Sequence, residues 1–133
     1  MAMALQVTRD VLAHLADVAA RAHPRECCGI LLGQGERISQ ACDAANVHAT
    51  PETHFEIDPQ ALIDAHRAAR SGGPEVLGYF HSHPDGPARP SATDRAMATG
   101  DGRIWAIHGA DGVTFWRDRA NLFEPLSYEA IDG

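Results

Sequence analysis

The chain has 133 residues, 44% of them apolar, a net charge of −7, and arginine at all 11 of its Lys or Arg positions. This length suits one domain over residues 1–133, with a single core that needs no disulfide support. The negative balance without a basic stripe argues against a nucleic-acid partner, and the missing lysine excludes Schiff-base and Walker-type phosphate chemistry and any isopeptide on a side chain of this protein.

Met1 to Gln6 carries no basic segment ahead of an apolar stretch, and no apolar run approaches the roughly 20 residues that cross a bilayer. A soluble, unexported, cytoplasmic protein is expected. Thr8 is a candidate N-cap for a helix in which Val11, Leu12, Leu15, Val18 and Ala22 recur at helical spacing, closed by Pro24. Cys28 to Gly33 is short and apolar, Gln34-Gly35-Glu36 supplies turn residues, and Arg37 to Val47 alternates in part, which predicts a β-hairpin. Cys27, Cys28 and Cys42 form neither a disulfide framework nor a CxxC knuckle and fit a reducing compartment.

Asp58-Pro59 predicts the start of a second helix, with Ala61, Leu62, Ala65 and Ala69 on one side and Ser71-Gly72-Gly73-Pro74 as its stop. Val76 to Phe80 is apolar on both faces, as a central covered strand would be, and leads directly into His81 and His83. Pro84 to Pro90 is too rich in Pro and Gly for regular structure, and Ser91 opens a third helix that ends near Gly100. Ile104 to Ile107 and Val113 to Trp116 predict a second hairpin, with Leu122 to Tyr128 as a last strand. The expected fold class is α/β (α+β), a central mixed β-sheet flanked by about three helices.

One spacing carries the chemistry: His81-x-His83, seven residues, then Ser91-x-x-Asp94. Residues i and i+2 of a strand face the same way, so both imidazoles aim at one point while Ser82 turns away. Asp94, in the first turn of the next helix, brings a carboxylate to that point once the Pro-rich loop closes. Two imidazoles and one carboxylate leave a fourth tetrahedral position for water, the arrangement of catalytic rather than structural zinc. Ser-x-x-Asp is also a helix-capping pattern, and each histidine alone would read as an ordinary strand-end residue; the four together point to a metal. Hydrolysis also needs a proton acceptor that does not ligate the metal. Glu26, just ahead of the first hairpin, is best placed to reach across from a neighbouring strand, and Glu56 and Asp85 are weaker candidates.

Glu26 followed by His81-x-His83-x7-Ser91-x-x-Asp94 resembles the JAMM motif of the MPN-plus zinc metalloproteases, which are deubiquitinase-like. Pro24 to Gly33, Phe55-Glu56-Ile57-Asp58-Pro59 and Gly78 to Pro84 extend the likeness to the stand-alone bacterial branch, over roughly residues 5 to 118. The resemblance implies an MPN/JAMM domain similar to the cytidine-deaminase-like fold, one Zn2+ per chain held by His81, His83 and Asp94, Glu26 as general base and later acid, and Ser91 as hydrogen-bond donor to the developing oxyanion. It implies a zinc-dependent metallopeptidase or isopeptidase that hydrolyses an amide at or after the C-terminal tail of a ubiquitin-like or sulfur-carrier protein, by zinc-activated water. Neither nucleic acid nor membrane enters this picture.

The chain lacks the long insertions with which eukaryotic relatives hold polyubiquitin, so a simple tail cut is expected rather than linkage-specific chain cleavage. Cys27 and Cys28 read as buried thiols beside the base, and His14, His23, His48, His54, His66 and His108 as scattered surface or core residues. His54-Phe55-Glu56 mimics the H-x-E of zinc deaminases but lacks its P-C-x-x-C partner, and a two-metal phosphoesterase lacks further ligands. The alternative of a different class is a non-catalytic MPN-type interaction module that binds zinc; a full motif set argues for the enzyme.

Overall fold

Thr8 ends the first strand and caps the first helix, its hydroxyl accepting from the Val11 amide at 3.2 Å. In the computed structural model, which describes residues 4–119 and 122–133, strand β1 (Leu5–Thr8) runs straight into helix α1 (Arg9–Ala22). The hairpin β2 (Cys28–Gln34) and β3 (Arg37–Ala44) follows, then α2 (Pro59–Arg70), β4 (Glu75–Ser82), α3 (Ala92–Met97), the hairpin β5 (Ile104–Gly109) and β6 (Gly112–Arg119), and finally β7 (Leu122–Leu126) and β8 (Tyr128–Ile131). The class is α+β as expected.

Among the described residues, all eight strands join one mixed sheet in the order β7-β6-β5-β4-β2-β3-β1-β8. The sheet curls until its far ends meet: the Phe115 ring of β6 packs edge-on against Tyr128 of β8 at 4.8 Å, and Arg117 reaches Glu36 at 3.1 Å. Alternation along the strands divides the core between two faces. On one, Val11, Leu15 and their neighbours in α1 pack on Leu31, Ile38, Phe80, Ile104, Ala106 and Phe115. On the other, Ala61 and Leu62 of α2 pack with Phe55, Ile57, Tyr79, Trp105 and Phe123.

Register positions the site. β2 and β4 are antiparallel with Cys28 opposite His81, and β4 and β5 are parallel with Ser82 opposite His108. The start of β2 therefore shares one sheet end with the carboxyl ends of β4 and β5, the edge at which ligands gather in open α/β sheets.

Three expectations are corrected. The third helix stops at Met97 rather than near Gly100, because the amides of Thr99 and Gly100 donate to the buried Asp118 carboxylate at 3.1 and 3.0 Å instead of continuing the helix. The single last strand is two: β7 pairs with β6, and after Ser127 the chain crosses to pair β8 with β1. β3 ends at Ala44, short of Val47. β1 and β8 are four residues each, too short to show a period in the sequence.

Candidate metal centre

The alternation of β4 turns Ser82 toward the α1 side and His81 toward the α2 side, with His83 just past the strand end on the same side as His81. The His81 ring is buried, stacked on Phe55 at 4.3 Å and edged by Trp105 at 5.7 Å, so its aim is fixed by packing. His83 is oriented by its Nδ1, 2.8 Å from the Pro87 carbonyl, which makes that nitrogen the protonated one and turns the Nε2 lone pair inward. Pro87 can sit there because Gly109 at the end of β5 has no side chain: a Cβ would lie 2.4 Å from the Ala88 nitrogen and 2.6 Å from the Pro87 carbonyl carbon.

Asp94 arrives from α3. Ser91 and Asp94 form a reciprocal capping box, the Ser91 hydroxyl accepting from the Asp94 amide at 3.1 Å and the Ser91 amide donating to Asp94 Oδ2 at 2.9 Å. The capping pattern and the ligand pattern are thus the same residues in one conformation. Asp94 Oδ1 lies 3.0 Å from His81 Nε2 and Oδ2 lies 3.1 Å from His83 Nε2, while the two Nε2 atoms are 3.2 Å apart.

Two imidazole nitrogens and one carboxylate thus converge on a single point, where a positive charge, a metal ion or ring protons, is needed to hold them together. A tetrahedral ion with ligand bonds of about 2.0–2.1 Å would hold its donors about 3.3–3.4 Å apart, so the donor set fits a zinc-like cation with little movement. Among the described residues these are the only three or more His, Cys, Asp or Glu side chains gathered closely enough to hold a metal. The electrostatics agree. Burial pushes His81 down toward its neutral, ligating form, against the pull of Asp94. Burial would raise the Asp94 carboxyl, but the hydrogen bonds from His81 and His83 outweigh it and hold the group well below the usual carboxylate range. Burial also opposes charge on His83, yet its bonds to Asp94 and Pro87 win and raise it.

Glu26 is 8% exposed and lines a cleft of about 630 Å3 together with Glu52, Thr53, His83, Arg89, Ser91 and the Pro84–Pro87 turn. Burial pushes its carboxyl up to about 7, with His83 pulling it down and Asp94 pushing it up. The link from Glu26 to the His81–His83 strand end is short: the Cys27 amide donates to Ser82 Oγ at 2.9 Å and the Ser82 amide to the Cys27 carbonyl at 3.1 Å. Of the other base candidates, Glu56 lies by an apolar pocket, and Asp85 lines the same cleft as Glu26 but is exposed and 3.1 Å from His23.

The remaining histidines stay apart from the centre: His14 pairs with Asp43 at 2.6 Å, and His48 stacks on His54 at 4.7 Å. Cys27 and Cys28 are buried, free thiols. Sequence reasoning missed Phe55, Pro87 and Gly109 as supports of His81 and His83; it turned Ser82 to the opposite face but did not foresee that its hydroxyl accepts from the Cys27 amide.

Prokaryotic homologs of the JAB domain match residues 8–119 of this chain. A desampylase of Haloferax volcanii is 33% identical over 114 residues, covering 84% of this chain and 82% of that protein. A probable TtuB-protein conjugate cleaving protease of Thermus thermophilus is 36% identical over 112 residues, covering 84% and 74%. Among solved structures, a protein of Desulfitobacterium hafniense superimposes with a TM-score of 0.84 at 26% identity, covering 96% of this chain and 93% of the other.

Proposed function

This chain belongs to the prokaryotic JAB-domain family and is a hydrolase of the JAMM metallopeptidase type, and from that footing we propose that it cuts the amide bond at or after the C-terminal tail of a ubiquitin-like carrier protein. The observation that carries the reading is the convergence of His81, His83 and Asp94 beside a cleft whose wall holds a buried carboxylate with a raised pKa. In this reading the three converged side chains hold one zinc per chain, and the protein acts in the cytoplasm. No helix among the described residues is long and apolar enough to cross a membrane.

When bound, zinc supplies Lewis acidity that polarises the scissile carbonyl and makes water a nucleophile at neutral pH. The protein's residues do the rest. Glu26 accepts the proton of the attacking water, since a base with a midpoint near the working pH combines an ionised fraction with enough proton affinity. It then delivers that proton to the leaving amine. Ser91 uses a lone pair for its capping bond, which leaves its O–H free to donate to the oxygen that gains charge in the transition state. Beyond the Phe55 ring that backs His81, a pocket of about 260 Å3 lined by Ile57, Leu62, Tyr79, Met97 and Trp105 suits an apolar side chain of an extended tail. The likeness to the probable TtuB-protein conjugate cleaving protease of Thermus thermophilus supports a protein-conjugate substrate.

The test is elemental analysis of wild type and Glu26→Ala, with cleavage of a ubiquitin-like carrier bearing a C-terminal extension. One zinc in each protein and cleavage by wild type alone is expected. Absence of zinc from the wild type overturns the metal assignment, and zinc without cleavage overturns the substrate assignment.

A further inference from the structure

Glu26 lies just before β2, outside the strand ladder, so its main chain lacks the partners that hold a strand residue. Other groups take their place. Its amide donates to the Pro51 carbonyl at 2.8 Å, and its carbonyl accepts from Asn46 Nδ2 at 3.0 Å. The same Nδ2 donates to the His54 carbonyl at 3.0 Å, with the Pro51 carbonyl at 3.5 Å, while Asn46 Oδ1 accepts from the amides of His48 and Glu56, both at 3.1 Å. A carboxamide is the one small side chain that offers two donors and two acceptor lone pairs, and here all are engaged. The loop it closes, between β3 and α2, is pinned again by the antiparallel bridge of Asn46 with Ile57 and carries Glu52 and Thr53 into the wall of the cleft.

We propose that Asn46 is a positioning residue for the general base: it ties the Glu26 main chain and the Glu52–Thr53 wall into one frame, setting the distance of the base from the metal ligands. This rests on the peptidase reading of Glu26. Asn46 bonds none of His81, His83 and Asp94 and takes no part in the Ser82 bridge, but its bonds at His54 and Glu56 flank Phe55, the ring stacked on His81, so zinc content is read beside turnover to separate a displaced base from a loosened metal site. A reacting group displaced by about 1 Å costs on the order of 100-fold in rate. Asn46→Asp keeps the shape but turns both donor bonds into contacts between a carboxylate and the carbonyls of Glu26 and His54.

The experiment compares wild type, Asn46→Ala and Asn46→Asp, each zinc-loaded, on a ubiquitin-like carrier with a C-terminal extension, together with backbone hydrogen exchange of the same proteins. Both variants should retain one zinc and a KM within about twofold of wild type, with kcat lowered about 10- to 100-fold. The Glu26 amide should lose protection while Ile30 and Leu31, inside β2, keep theirs. Should Asn46→Ala fail to fold, Asn46→Ser, which keeps one donor, takes its place. A kcat per bound zinc within about twofold of wild type overturns the proposal, as does a fall in KM-limited binding with kcat unchanged. If the wild type does not cleave the carrier, the carrier-substrate reading fails on its own, and unchanged protection at Glu26 in the variants still overturns the role of Asn46.

Discussion

Replacing Glu26 with Gln removes a proton acceptor with almost no change of shape, and the structure sets what should follow. Burial holds the carboxyl up to about 7 in a side chain that is 8% exposed. Without a metal, a base with that midpoint is about nine-tenths ionised at pH 8 and about one-tenth at pH 6; in the zinc-loaded wild type kcat/KM should fall along an acidic limb at or below pH 7, with the slope of a single proton. A divalent ion on the neighbouring ligands favours the ionised form, so it moves this limb below pH 7 and never above it. Glu26→Gln should lower kcat by about 100- to 10,000-fold and abolish the limb, with zinc content unchanged. The assay is the pH profile of carrier cleavage for both proteins at equal zinc content. A Gln variant within about threefold of wild type, or one that keeps the wild-type acidic limb, would refute the assignment of Glu26 as base.

The same carboxyl predicts a stability effect of opposite sign. Its folded pKa lies above the ordinary value of 4.5, so between that value and about 7 the native state holds more protons than the unfolded one, and stability from this group is lost as pH rises through 7. The metal-free Gln variant should therefore melt higher than wild type at pH 8, with a smaller difference at pH 5; equal melting at pH 8 would refute the burial argument. Ala in place of His83 or Asp94 should abolish zinc retention, and stoichiometric zinc in either variant would remove the ligand assignment. Ser91→Ala should cost about 1 kcal/mol through the lost cap and lower kcat further, whereas Ser91→Thr restores the cap; calorimetry and turnover separate the two effects. Gly109→Ala should push the Pro87–Ala88 turn away, weaken the hold on His83 Nδ1 and reduce zinc affinity in a competition titration. Cys28→Ala should keep turnover within about twofold, because burial pushes this thiol up to about 12 and no thiolate nucleophile exists; abolished cleavage in a folded, zinc-loaded variant would overturn that.

Sequence alone determined the elements whose signals are local. Thr8 and Asp58 cap their helices through their own side chains, and the two hairpins lie where apolar runs flank turn residues. The convergence of His81, His83 and Asp94 was legible for the same reason: a two-residue period puts His81 and His83 on one face, and a four-residue capping box aims Asp94. Each depends on the geometry of no more than four consecutive residues.

Tertiary structure decided what depends on pairing between distant segments. The β2–β4 register brings Glu26 to within reach of residues some 55 positions away, through the Cys27–Ser82 pair. Nothing local fixes that register, because it follows from which face of each strand is buried. Nor could the split of β7 from β8, or the early stop of α3 at Asp118, be read from propensity: in both, a partner supplied by the folded sheet outbids continuation of the local element. The supports of the site, Phe55 behind His81 and Asn46 under Glu26, belong to the same class. A ligand announces itself by its chemistry and spacing, whereas the residue that holds it still is an ordinary side chain until the fold gives it a neighbour.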